Sequence, residues 1–270
     1  MDQPVFIQVG ALADGFAPAN HTLPACNELA GRQFQLHDDT GRVAVLTLSQ
    51  HDALQLTQGD VTLHARCRVT SLRPQCYLID GLPQENSRSS LSLVLDLAHG
   101  LFTRIDGQLP DEATTRIDPF RRVAQGLPLT AVEAVITHGT IDRPVQAGER
   151  LHHPTDELIG MRNLYRYSQT ECYEHIYLNS HFYAWQCLQG VEQGLADVDR
   201  CYYVKLADAL YLFVWCEKIV PTLGVVLIDL AQGKTDGKIV GYQSGDFSAL
   251  SNFAVGAQAQ VLNTTRHPLA

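Results

Sequence analysis

Apolar and polar positions alternate with a period of two along most of this chain, the signature of strands with one buried face. In the second half the alternation predicts strands at Met161–Ser168, Cys172–Leu178, Phe182–Leu188, Cys201–Leu206, Leu210–Glu217, Thr222–Leu230, Gly237–Tyr242 and Gln258–Thr264. Turn residues separate them, as at Asn179-Ser180, Ala207-Asp208 and Ala231-Gln232-Gly233. The first half gives a similar set: Gln33–His37, Arg42–Leu48, Ala53–Thr57, Thr62–Thr70, Gln75–Asp80, Ser90–Leu97, Leu101–Asp106 and Ala131–His138. Gly190–Asp199 breaks the alternation and reads as a helical turn or an irregular loop. Eight short antiparallel strands can close into a barrel, which removes exposed edges and leaves room for one small ligand. A two-sheet sandwich per half is the alternative.

The halves repeat one another. Leu29-Ala30-Gly31-Arg32 corresponds to Leu158-Ile159-Gly160-Met161, and SLSLVLDLAHG at 90–100 to TLGVVLIDLAQG at 222–233, so that Asp96 matches Asp229 and Gly100 matches Gly233. AVITHGTIDRP at 134–144 echoes QVLNTTRHP at 260–268 in the same order. The expectation is an all-β protein of two tandem lipocalin-like barrels arising by internal duplication. The predicted domains are residues 1–145 and 158–270, joined by a polar linker at 146–157.

Composition narrows the function. The net charge of −9 is shared by both halves, so no basic stripe exists to bind nucleic acid or an anionic membrane. No apolar run approaches a membrane span, and Met1–Ala13 lacks the features of a signal peptide. The seven cysteines form no CxxC pair. Together these predict reduced thiols, a cytoplasmic location and no metal site. The adjacent His152-His153 makes a poor metal pair, because neighbours on a strand face opposite ways. No GxSxG, P-loop or dinucleotide fingerprint occurs, and no cofactor is expected.

The halves differ in their rings. Nine of the ten tyrosines and both tryptophans lie after residue 160. Alternation puts Tyr165 and Tyr167 on one face, then Tyr173, His175 and Tyr177, then Tyr183, Trp185 and Cys187, then Tyr211, Phe213, Trp215 and Glu217. Turned inward, these faces make an apolar pocket with a few polar groups. Turned outward, they make an aromatic interface. Candidate acid–base groups are His175, Glu217 and Tyr177; Tyr165, Tyr167, Tyr173, Tyr183, Trp185, Tyr211, Phe213, Trp215 and Arg166 are candidate ligand contacts. His175 and Glu217 have structural readings beside the functional ones, as a hydrogen-bonded strand histidine and a solvated strand end.

The run from Gly160 to Pro268, including YRYSQTECYEHIYLNSHFYAWQCLQG and KTDGKIVGY, resembles the MoaF family, whose name expands as molybdenum cofactor biosynthesis protein F. The resemblance extends to the first half, from about Phe6 through Thr137–Ile141. It implies calycin-type modules and, by name alone, an accessory role with molybdopterin. A looser similarity is to phenolic acid decarboxylases, cofactor-free calycin barrels that set Tyr, Arg and Glu around an aromatic substrate; Tyr173, Tyr177, Arg166 and Glu217 supply those residue types without a matching motif.

Two functions follow as expectations. One is binding of a small aromatic or amphipathic metabolite in the second barrel, with the first as a structural or dimerising partner and a homo-oligomer left open. The other is a cofactor-free enzyme that uses Tyr, His and Glu on a phenolic or aromatic-amine compound.

Overall fold

The computed structural model describes residues 4–17, 20–49, 52–84 and 88–268. Its sheets are two closed antiparallel barrels of eight strands each. The first runs β1 (Gln33–Asp38), β2 (Val43–Leu48), β3 (Ala53–Gln58), β4 (Val61–Arg73), β5 (Cys76–Pro83), β6 (Ser89–Asp96), β7 (Leu101–Gln108) and β8 (Glu133–Ile141), with β8 closing on β1. A two-residue strand, β9 (His153–Pro154), extends the second sheet beside its fourth barrel strand. That barrel runs β10 (Met161–Arg166), β11 (Cys172–Tyr177), β12 (Phe182–Gln189), β13 (Ala196–Ala207), β14 (Leu210–Cys216), β15 (Thr222–Asp229), β16 (Lys234–Tyr242) and β17 (Leu250–Thr264). It closes where β10 pairs with β17, and β12 with β13.

The duplication is visible in the turns. Asp96 and Asp229 end β6 and β15, and each carboxylate accepts the backbone N–H three residues on, from His99 at 3.1 Å and Gln232 at 3.0 Å. Gly100 and Gly233 follow at φ of 65° and 62°, a left-handed conformation suited to glycine. Their carbonyls accept from Ile141 and Ala259 of each barrel's last strand, both at 2.8 Å. The expectation of tandem barrels therefore holds down to a shared turn device.

Several element ends differ from the alternation. Gly190–Asp199 is not wholly a loop: β13 begins at Ala196, and only the preceding residues turn. Three helices were not anticipated: α1 (Val9–Phe16), α2 (Glu112–Thr115) and α3 (Pro119–Ala124). Asp111 and Asp118 cap α2 and α3 by accepting from Thr114 and Arg121 N–H.

The compact units also cut the chain differently from the sequential 1–145 and 158–270 division. One unit holds residues 23–108 and 134–153; the other holds 1–22, 109–133 and 154–270. The β7–β8 connection thus packs with the second barrel. Tyr242 donates to the Pro110 carbonyl at 2.6 Å, and the Thr130 hydroxyl donates to the Glu217 carbonyl at 2.9 Å. No described helix is long and apolar enough to cross a membrane.

The barrel interiors are unlike. Leu36, Leu46, Leu54, Leu56, Ile79, Leu93 and Leu95, with Phe34 and Phe102, fill the first. Rings fill the second.

Candidate functional site

Strand alternation aims the rings of the second barrel inward. On β12, Tyr183, Trp185 and Cys187 are buried while Ala184 and Gln186 between them are half-buried. On β11 the intervening Glu174 faces the other way, where the Arg162 guanidinium grips it through two hydrogen bonds of 2.6 and 2.8 Å. That pair takes up the strand's charge outside the barrel and leaves Tyr173, His175 and Tyr177 for the interior.

The interior is layered. At one end Tyr177 and Tyr165 share a hydroxyl hydrogen bond of 2.6 Å, and the Asn163 side-chain amide donates to Tyr165 at 3.1 Å. Above them Phe213 stacks between Tyr203 and Trp215, with centroids 5.7 and 5.3 Å away, and meets Tyr183 edge-on at 4.9 Å. Each such ring pair adds about 0.5–1.5 kcal/mol beyond area burial. Trp215 lies across Gly224 of β15; a Cβ there would come within 2.1 Å of the indole. Only a strand glycine seats the ring so close to the neighbouring backbone.

His175 sits among these rings, 4.7 Å from Tyr165, 5.2 Å from Tyr183 and 5.8 Å from Phe213. It is 6% exposed, and its Nδ1 has no hydrogen-bond partner. Burial in this apolar setting pushes its pKa down to about 3, so the imidazole is neutral. An unsatisfied buried polar group of this kind costs about 1–3 kcal/mol.

Carboxyl groups gather at the opposite end. The Trp215 indole N–H donates to Glu217 at 2.9 Å, and the Trp185 indole N–H to Asp199 at 2.9 Å. The Tyr173 hydroxyl donates to Glu192 at 3.1 Å. Burial, aided by neighbouring Glu171, pushes Glu192 up to about 7. Burial together with Asp199 and Glu192 drives Glu217 far above the ordinary carboxyl range. Asp199 is also raised, mainly by burial, although Lys218 reaches it at 3.5 Å. Desolvation likewise raises the hydroxyls of Tyr173, Tyr177 and Tyr183, so they remain neutral donors.

Helix α1 closes this end. Its buried residues Val9, Leu12 and Phe16 recur at helical spacing and join the ring cluster. Phe16 meets Tyr167 edge-on at 4.8 Å and Tyr173 at 5.7 Å. Val9 lies against Gly241, where a Cβ would approach to 2.4 Å. Beneath the helix is a void lined by Leu12, Phe16, Tyr167, Tyr173, His175, Tyr183, Trp185, Glu192, Trp215, Glu217 and Ile239. Its envelope, which includes space open to solvent, is about 360 Å³.

Of the residues singled out from the sequence, Tyr167, Tyr173, His175, Tyr183, Trp185, Trp215 and Glu217 line this void together. Tyr165 and Phe213 line the deeper gap beside it. Tyr177 is buried below with its hydroxyl committed to Tyr165. Tyr211 donates to Glu157 at 2.7 Å and does not line the void. Arg166 is not brought to the site: β10 alternation turns it away from Tyr165, and it is exposed. The sequence reading missed Glu192, Tyr203, Leu12 and Phe16. Tyr203 was findable, because it shares a strand face with Cys201, and the spacing of Val9, Leu12 and Phe16 was a helical signal. Among the described residues no cluster of three or more His, Cys, Asp or Glu is placed to hold a metal ion.

Family models match both halves of the chain. Residues 4–111 match the MoaF N-terminal domain and residues 152–265 the MoaF C-terminal domain. A solved structure described as a putative β-lactamase from Burkholderia vietnamiensis is similar at a TM-score of 0.34 and 12% identity, covering 39% of this chain and 96% of that one. The chain is 53% identical over 268 residues to "Protein MoaF" of Klebsiella aerogenes, covering 98% of each. With both domains matched in order along nearly its whole length, this chain is a member of the MoaF family.

Proposed function

We propose that the second barrel binds a small ring-bearing metabolite inside its lumen, and that the first barrel is a structural partner. The observation that carries this reading is the convergence of both tryptophans, the partnerless His175 Nδ1 and two carboxyl groups on one void. A core that served packing alone would be filled with aliphatic side chains, as the first barrel is. Phe16 occupies the mouth of the void in the manner of a guest ring, edge-on to Tyr167. Its withdrawal with α1 makes room for a ligand of similar size.

A cofactor-free acid–base reaction is the second reading. It is favoured by Glu192, which is poised near neutrality beside the Tyr173 hydroxyl. A molybdopterin role, suggested by the family's name, is disfavoured. The void lining has carboxyl groups and no Lys or Arg to receive a phosphate.

Thermal-shift screening of the full chain against single-ring acids, alcohols and amines tests the binding reading. A ligand at 100 times its Kd adds about 2.7 kcal/mol of stability. The reading expects saturable stabilisation by at least one class; none at any concentration would overturn it. Turnover separates the two readings: an enzyme converts the bound ligand and loses that conversion in Glu192→Gln, whereas a binder releases its ligand unchanged.

A further inference from the structure

We infer that the ligand is an organic cation, an amine on one aromatic or similarly sized apolar group, whose ammonium lies between Glu192 and Glu217. This rests on the binding reading above and specifies its chemistry.

The charge inventory is one-sided. Glu192 and Glu217 line the void, and among the described residues neither has an ion-pair partner. The cation nearest to them, Lys218, is already engaged with Asp197 and Asp199 and with the Val198 carbonyl at 2.7 Å. An anionic ligand would lose its water beside two carboxyl groups with no donor of positive charge to receive it. An ammonium gains charge-assisted hydrogen bonds from both.

Acidic side chains alone would not make a site. The independent observation is His175, 6% exposed, lining the same void, with a ring nitrogen that finds no partner. It offers a ligand one hydrogen bond in the same void as the carboxyl pair. The ligand is therefore held by two kinds of contact, its ammonium on the carboxyl pair and a hydrogen bond to His175. A divalent metal ion fits less well, since such an ion takes about six or more oxygen ligands and the lining offers two carboxyl groups among neutral phenol hydroxyls.

Burial keeps protons on this pair in the empty site, raising Glu192 to about 7 and, together with the neighbouring Asp199 and Glu192, driving Glu217 well above the ordinary carboxyl range. The groups facing Glu192 are Tyr173, Glu171, Cys187 and Glu217; those facing Glu217 are Asp199, Glu192, Tyr183 and Trp215. Helix α1 brings only Leu12 and Phe16 to the void. A bound cation favours the ionised carboxylates, so binding releases protons and strengthens as pH rises from 6 to 8.

The test is calorimetric titration of the full chain with three probes of one shape, benzylamine, benzyl alcohol and benzoate. At pH 7.5 benzylamine should bind at least about tenfold more tightly than benzyl alcohol, and benzoate more weakly than both. Glu192→Gln and Glu217→Gln keep the side-chain shape. Each should bring the amine to within about threefold of the alcohol, read as the ratio of the two affinities within each variant. The amine's affinity should rise between pH 6 and 8 while the alcohol's stays flat. If alcohol or benzoate binds as well as amine, the charge assignment is overturned and the binding site stands. If none of the three binds, the site reading falls and takes the assignment with it.

Discussion

Phe16 of α1 meets Tyr167 of the second barrel edge-on with ring centroids 4.8 Å apart, and through this contact a short N-terminal helix closes the barrel mouth. Access to the lumen and docking of α1 are thus one structural event.

Phe16→Ala should loosen α1 while the barrel below stays folded. Truncating a buried Phe costs about 3–5 kcal/mol where the core must absorb the loss, and detachment of one helix limits that cost. Hydrogen exchange in Val9–Phe16 should speed up at least about tenfold with little change in β14–β16. Equal acceleration throughout the second barrel would show that the helix is part of the core and not its cover.

Gly224→Ala tests the seat of Trp215. The added methyl meets the indole at 2.1 Å, so either the ring or β15 must shift. Thermal unfolding should show a loss of about 1–3 kcal/mol, the range for overpacking. The Trp215 hydrogen bond to Glu217 should weaken with it. An unchanged melting temperature would show that the ring does not depend on this seat.

His175→Phe should trade function for stability. The imidazole is held neutral down to about 3, whereas in the unfolded chain it takes up a proton near 6.5. The stability it contributes is present above 6.5 and lost as pH falls toward 3. Removing it should give a relative gain at pH 5 of about 1–2 kcal/mol, with weaker ligand binding. Urea unfolding of both proteins at pH 5 and 8 measures the difference. Equal differences at the two pH values would contradict the buried neutral imidazole.

Much of this was legible in the chain. The period-two pattern located all eight strands of each barrel, because a strand with one buried face writes its orientation into every second residue. It also put Tyr173, His175, Tyr183, Trp185, Trp215 and Glu217 on faces that converge. The cover was not legible in that way: Phe16 belongs to the lumen only after α1 folds back over it, a contact between distant positions that no local pattern records. Glu192 lies in a turn, where alternation is silent, and its carboxyl is drawn inward by Tyr173. Arg166 was misread for the opposite reason: it adjoins two inward tyrosines in sequence, and adjacency on a strand means opposite faces.

Glu192→Gln should change the pH profile with the opposite sign from His175→Phe. Raised to about 7, the Glu192 carboxyl supports the fold below the unfolded value near 4.5 and costs stability as pH climbs through 7. The variant's melting temperature relative to the parent should therefore be higher at pH 8 than at pH 4.5. A difference that does not move with pH would place this carboxyl in water.

The most direct measurement is tryptophan emission during ligand titration, because the chain's two tryptophans, Trp185 and Trp215, both line the void. Trp185→Phe and Trp215→Phe leave one reporter each. Occupation of the second barrel predicts a saturable emission change in both variants with the same single-ring ligand. A ligand that stabilises the protein yet leaves both reporters unchanged would put the site elsewhere and contradict the account.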